Sequence, residues 1–203
     1  MLGKIAVILS SIILALAILV VSIFRGATPR LAFSPATPAP QTEEETEKPL
    51  IDYHLPYPGK VMPDHPLWYA KALRDKLQLL LAFSSAKKAE LNLLFADKRI
   101  GMAVSLSEKG KFDLAYTTLT KSEKYLENVL SYDPDNTEFL KKLAGASLKH
   151  REIIEEMILP TAPEDLKPKI NLSLNLSKNS YNKVTDRLRA KGETAPNNPF
   201  ESE

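Results

Sequence analysis

In the stretch AKKAELNLLFADKRIGMAVSLSEKG, residues 86–110, apolar side chains recur at the spacing of an α-helix. A helix with that spacing buries one face and exposes the other. Gly110 follows as a residue that readily takes the left-handed conformation in which helices end. The stretch therefore predicts an amphipathic helix over about residues 86–109. The residues of its apolar face are Leu91, Phe95, Met102 and Leu106.

The same period continues on both sides of this stretch and predicts further helices. Each carries one apolar stripe, which on the first of them consists of Leu73, Leu77, Leu80 and Leu81. Because helices with one buried face cover one another economically in a bundle, we predict an all-α domain of four to five helices at residues 53–190. A disordered tail is expected at residues 191–203. The other predicted helices extend over about residues 66–83, 111–131, 137–159 and 164–190.

The N-terminus carries an apolar run, residues 5–24, without a charge, a proline or a glycine. A helix of that length spans about 30 Å, the thickness of the hydrocarbon core of a bilayer. We therefore predict a single-pass membrane anchor at residues 1–25. A cleaved signal peptide is the alternative, although its apolar region is normally shorter and residues 23–25 make a poor cleavage site. The long hydrophilic region that follows favours an extracytoplasmic domain, although the flanking basic residues leave the orientation open.

Residues 26–52 form a linker rich in proline and acidic residues. Such a composition buries too little apolar surface to offset its ordering entropy, so we predict a disordered tether. Its acidic cluster consists of Glu43, Glu44, Glu45 and Glu47.

Between the linker and the first helix lies YHLPYPGKVMPDHPLWY, residues 53–69. Residues 57–60 carry the signal of a type II turn, and Asp64 is expected to cap the helix that follows. The segment is interpreted as a clamp that covers the end of the bundle. The alternative is a surface for contact with a partner, because aromatic residues supply contact area at low entropic cost. Its candidate residues are Tyr53, Tyr57, Trp68 and Tyr69.

The chemical composition excludes several function classes. The net charge of +2 argues against a nucleic-acid partner, and the absence of cysteine removes thiol catalysis and cysteine metal sites. His54 and His65 each lie near an aspartate in the sequence. A metal site needs a rigid frame, and this proline-rich segment is expected to be flexible. His150 lacks the paired histidine of a zinc hydrolase helix. The sequence therefore predicts no catalytic, cofactor-binding or metal-binding residues and no enzyme.

Two resemblances add to this interpretation. Residues 108–136 resemble part of a tetratricopeptide repeat, with Gly110 near the turn, although no second copy follows. Residues 55–115 resemble an uncharacterised domain-of-unknown-function family of bacterial envelope proteins with one N-terminal membrane helix. That resemblance implies a bacterial envelope location and a helical fold, and it brings no known activity. The residues that carry it are the Pro-Tyr-Pro-Gly turn, the row Lys71, Arg74, Asp75 and Lys76, and the rows at 88–91 and 95–99.

Together these features favour a membrane-anchored helical interaction or scaffold module of the cell envelope, with a protein partner and no cofactor. The alternative is an envelope enzyme or an enzyme accessory that uses an unrecognised carboxylate or histidine site.

Overall fold

The structure, a computed structural model, describes Ile18, residues 51–132 and residues 134–200. All secondary structure within these residues is helical, which confirms the all-α prediction. A 3₁₀ turn, Leu130–Tyr132, follows the third helix, and a π-helical turn, Ile154–Ile158, continues the fourth. The five α-helices are α1 (Trp68–Leu80), α2 (Ser85–Glu108), α3 (Phe112–Val129), α4 (Thr137–Ile153) and α5 (Lys167–Ala190).

The chain divides into two units, Met1–Thr46 and Glu47–Glu203, and all five helices belong to the second. The predicted anchor helix, residues 5–24, and the predicted linker lie outside the described residues except at Ile18, Ile51 and Asp52. Among the residues that are described, no helix is long and apolar enough to cross a bilayer.

Local signals place three of the helix ends. The Ser84 hydroxyl accepts a hydrogen bond from the backbone N–H of Lys87 at 3.1 Å and caps α2. The Asn136 side chain accepts from the N–H of Phe139 at 2.9 Å and caps α4. Gly110 ends α2 with a φ of 70°, a left-handed conformation that glycine adopts without steric cost. These three caps confirm the predicted boundaries to within a few residues.

The core lies between α2, α3, α4 and α5. α2 packs against α3, and α5 packs against both α4 and α3. One apolar cluster is centred on Leu126, Leu140 and Val184, and a second contains Ile100 and Ile170. These four helices form the predicted bundle, and α1 lies against α2.

The apolar stripe predicted for α1 does not face the core. Leu73 and Leu80 are 59% and 76% exposed, whereas the one buried residue of α1 is Asp75 at 4%. The reason is the surface that α1 meets, because Asp75 lies close enough to Lys98 of α2 to act on its charge. The inward face of α1 therefore combines the carboxylate of Asp75 with the partly buried Leu79, which packs against the cluster of Leu91 and Phe95 on α2.

The tail also differs from the predicted disorder over residues 191–200. The Arg151 guanidinium lies 4.0 Å from the centre of the Phe200 ring, and the Tyr181 hydroxyl donates to the Pro196 carbonyl at 3.0 Å. Lys141 pairs with Glu193 at 3.0 Å. The tail thus supplies an aromatic ring and a carboxylate to cations of α4, which the polar composition alone does not reveal. Residues 201–203 lie outside the described part.

Candidate functional site

Residues 51–66, here called the N-terminal strap, lie across two helices of the bundle. The Tyr53 ring approaches to 3.5 Å the position that a Cβ atom would take on Gly145 of α4. Pro58 lies equally close to the corresponding position on Gly101 of α2. At that distance a Cβ atom at either glycine would make ordinary van der Waals contact with the strap. The strap therefore passes closely over α2 and α4 at these two glycines.

The ammonium group of Lys71 holds the strap to α1. It donates hydrogen bonds to the carbonyls of Pro58 at 3.2 Å and Val61 at 3.0 Å. Gly59 between them has a φ of 94°, the positive value that the predicted turn needs. The type II assignment itself stays a prediction.

The expected cap by Asp64 is wrong. α1 begins after Leu67 without a side-chain cap, and the nearby His65 ring accepts the N–H of Leu67 at 3.1 Å. Asp64 instead pairs with Lys111 at 2.8 Å and Lys109 at 3.7 Å. Because those lysines lie at the connection between α2 and α3, the carboxylate fastens the strap to the bundle.

Beneath the strap lies a chain of four hydrogen-bonded ionisable side chains, here called the buried network. The Tyr53 hydroxyl donates to one oxygen of Asp97 at 2.6 Å. The other oxygen of Asp97 lies 3.1 Å from Nε2 of His150, and Nδ1 of the same ring lies 2.8 Å from Glu123. His150 and Glu123 have no exposed surface. The network connects the strap with α2, α3 and α4.

Charge fixes the protonation of this network. Burial lowers the pKa of His150, but the charges and hydrogen bonds of Glu123 and Asp97 outweigh it and raise the pKa to about 9. The imidazolium then donates one N–H to each carboxylate. Burial, followed by the Asp97 charge and hydrogen bond, raises the pKa of Tyr53 far above its usual value, so its hydroxyl remains a donor.

The sequence holds a signal for this network that our reasoning from motifs missed. Glu123 follows Leu119 by four residues and precedes Leu126 by three, so this carboxylate lies on the apolar stripe of α3. An ionisable residue on such a stripe is buried and needs a partner. His150 lies 27 residues from Glu123 and 53 residues from Asp97 along the chain, so only tertiary packing identifies these partners.

The histidines do not assemble a metal centre in the part of the chain that the structure describes. That part contains no group of three or more histidine or acidic side chains placed to hold a metal ion. His54 and His65 are both exposed. In the buried network the two carboxylates contact opposite nitrogens of one ring, so they do not converge on a single ion.

The four candidate contact residues differ in their exposure. Tyr53 is partly buried in the network, whereas Tyr57 and Tyr69 are exposed. Trp68 is half-buried, with the Lys71 ammonium 5.2 Å and the Arg99 guanidinium 5.9 Å from its ring. Whether any of them contacts a partner stays a prediction.

A row of exposed apolar side chains does form on α1. Tyr69, Leu73 and Leu80 are spaced by four and seven residues, which places them on one face of the helix. All three are exposed, and Phe83, just beyond the helix end, is 96% exposed. These four residues are called the α1 face below. Clusters of exposed apolar side chains mark interaction sites more often than single exposed residues do.

Basic side chains gather where α1 meets α2. Lys71 and Arg74 come from α1, and Lys98 and Arg99 come from α2. Arg74 pairs with Asp75 at 2.9 Å, while Arg99 lies 4.4 Å from the ring centre of Tyr125. The four basic residues are called the cationic cluster.

Comparison with known proteins yields one match. No curated protein matches the chain, and no solved structure does. The family model of a domain of unknown function, DUF5667, matches residues 60–163, which is just over half of the 203 residues. The matched range begins after the Pro-Tyr-Pro-Gly sequence and includes α1 to α4, and with them the α1 face, the cationic cluster and three members of the buried network. The chain therefore belongs to the DUF5667 family of domains of unknown function.

Proposed function

We propose that this protein is an interaction module of the bacterial cell envelope that binds a protein partner through the α1 face. The apolar run at residues 5–24 supports a membrane anchor, and the proline-rich composition of residues 26–52 supports a tether. The long hydrophilic region after the anchor favours an extracytoplasmic position for the helical domain.

The observation that carries this proposal is the orientation of α1. The helix turns a carboxylate inward and leaves Tyr69, Leu73 and Leu80 in water. Exposed leucine and aromatic side chains gain free energy when a partner removes them from water, at about 25 cal/mol per Å². A binding role gives these side chains a reason to be exposed, and a scaffold with a purely structural α1 does not.

The chemistry of the surface defines the partner. An apolar strip would cover the α1 face, and acidic side chains beside it would meet the exposed Lys76. Complementary charge at the rim of an apolar contact sets orientation and suppresses wrong partners. The proposed occupant is therefore a protein segment with an apolar stripe flanked by aspartate or glutamate.

The buried network supports a structural role rather than catalysis. A substrate could reach neither His150 nor Glu123, because both are fully buried. The network instead ties the strap and three helices into one arrangement, which is the best-attested use of buried ionic groups.

Site-specific photocrosslinking in intact bacterial cells tests the proposal. A photoreactive phenylalanine at Leu73 or at Leu80 of the full chain should give the same protein adduct. The residue placed at Lys121, an exposed position on α3, should not. Leu73→Glu should abolish the adduct formed from Leu80, whereas Thr117→Glu on α3 should leave it unchanged. Adducts with lipid alone, identical adducts from Lys121, or no adduct from either position would refute the proposed protein contact.

A further inference from the structure

The cationic cluster carries more positive charge than its surroundings neutralise. Asp75 is the carboxylate that pairs with Arg74 and acts on the charges of Lys71 and Lys98, so one negative charge stands against four positive ones when both lysines are protonated. Asp75 is already engaged by Arg74. No hydrogen bond or ion pair joins the side chain of Lys98 or of Arg99 to any residue that the structure describes.

Arg99 is the unusual member of the cluster. Its side chain is held among the rings of Tyr125, Phe95 and Trp68, at 4.4, 5.9 and 5.9 Å. Arg99 is only 7% exposed, and its Nε–H is buried without an acceptor. A guanidinium carries five N–H donors, and buried donors in native proteins nearly always have a partner. The aromatic rings stabilise the charge of Arg99 but leave its hydrogen-bonding capacity free.

The excess of positive charge also affects the pKa values of Lys71 and Lys98. Burial lowers the pKa of Lys71 to about 8, and repulsion from Lys98, Arg74 and Arg99 adds to the effect against the attraction of Asp75. Burial and the Arg74 charge likewise lower the pKa of Lys98. An additional anion beside these groups would relieve the repulsion that they now experience.

We propose that the cationic cluster binds an oxyanion of the phosphate class, supplied either by a soluble phosphate compound or by a lipid headgroup. Guanidinium groups present paired N–H donors that match phosphate oxygens, and lysines contribute point charges. The Lys71 ammonium and the Arg99 guanidinium both lie beside the ring of Trp68, so the two cations are close enough to share one anion. A doubly charged phosphate compensates the three excess charges better than a carboxylate does. This site is distinct from the proposed protein contact on the α1 face.

Calorimetric titration of the full-length protein in neutral detergent, with sodium phosphate at constant ionic strength and pH 7, tests the proposal. We expect saturable binding that Lys98→Gln weakens about tenfold or more, equivalent to about 1.4 kcal/mol. Lys98 is suitable because it is half-buried, and unchanged helical circular dichroism would show that the variant folds. The matched control is Lys76→Gln on the exposed side of α1, which should bind within about twofold of the parent.

Three outcomes would overturn the site. The first is the absence of saturable heat up to about 10 mM phosphate, and the second is acetate binding as tight as phosphate binding. The third is an equal loss of phosphate affinity in Lys76→Gln and Lys98→Gln, which would indicate charge screening only. The source of the phosphate group is separated by repeating the titration in lipid nanodiscs. If the protein binds phosphate more weakly in phosphatidylglycerol nanodiscs than in phosphatidylcholine nanodiscs, a lipid headgroup competes for the site. Equal affinity for phosphate in the two kinds of nanodisc identifies a soluble ligand. Neither result depends on the α1 face, so failure of the protein contact leaves this test intact.

Discussion

Tyr53 is the residue through which the strap reaches the centre of the bundle. Its hydroxyl shares Asp97 with His150, so one carboxylate joins a loop residue to the buried imidazolium. Removing one member of such a network leaves a buried charge short of a donor, which costs more than the hydrogen bond itself contributes. The effect of each residue in the network is therefore testable by small substitutions.

Tyr53→Phe should lower the free energy of unfolding by about 1–3 kcal/mol, because Asp97 loses its strongest neutral donor and stays buried. Chemical denaturation of the full chain in detergent measures the change. Tyr69→Phe is the control, since Tyr69 is exposed and its substitution should change stability by less than about 0.5 kcal/mol. Equal stabilities for the parent and Tyr53→Phe would show that Asp97 does not depend on the strap.

The buried network should also make stability depend on pH. The pKa of His150 is raised from 6.5 to about 9, so the folded state holds a proton that the unfolded state releases in this window. Stability from this group is fully present below pH 6.5 and is lost as the pH rises through 9. Lys71 has a lowered pKa of about 8 and acts in the opposite direction above that pH, so the decline is best measured between pH 6.5 and 8.

Glu123→Gln isolates this effect, because the Glu123 charge is the largest contribution that raises the pKa of His150. We expect the decline in unfolding free energy between pH 6.5 and 8 to be shallower in this variant. Glu127 lies on α3 like Glu123 and forms an exposed pair with Lys183 of α5. Glu127→Gln should therefore keep the slope of the parent. A variant Glu123→Gln with an unchanged slope would assign the pH dependence to other groups.

At the scale of helices, α1 is the element whose one buried residue is a carboxylate. Leu73→Glu should alter the free energy of unfolding by less than about 0.5 kcal/mol, because Leu73 already lies in water. Asp75→Leu should lower it by about 1–3 kcal/mol, because Arg74 and Lys98 lose their carboxylate. If α1 instead buried its leucine stripe, Leu73→Glu would be the more damaging change, and denaturation of the two variants distinguishes these cases.

Elements fixed by local chemistry could be predicted from the sequence. Ser84, Asn136 and Gly110 act on backbone groups within a few residues, so their caps follow from short-range spacing. The orientation of α1 and the true partner of Asp64 depend on neighbours brought close only by folding. The same holds for the contact between Phe200 and Arg151. Periodicity therefore predicted which residues are helical, but not which polar groups replace leucine at an interface.

At the scale of the whole molecule, the proposed topology determines where the α1 face is available. With Thr42→Cys in the linker, the otherwise cysteine-free chain should react with a membrane-impermeant maleimide in intact cells whose outer barrier admits the reagent. The reason is that the linker follows the anchor on the extracytoplasmic side in our proposal. Labelling only after lysis would place the helical domain in the cytoplasm and refute the proposed location.

The position of the strap in the chain has a mechanical consequence. In the proposed topology, tension along the linker would reach Ile51 first, whose buried side chain packs in the core, and then Tyr53, before it reaches α1. The Tyr53–Asp97 hydrogen bond is thus loaded before the contacts of Pro58, Lys71 and Asp64, which lie further along the strap. Rupture would proceed as peeling from one end, with the helices α2 to α5 strained last. The contacts of the strap would therefore break one after another before the force unfolds the bundle.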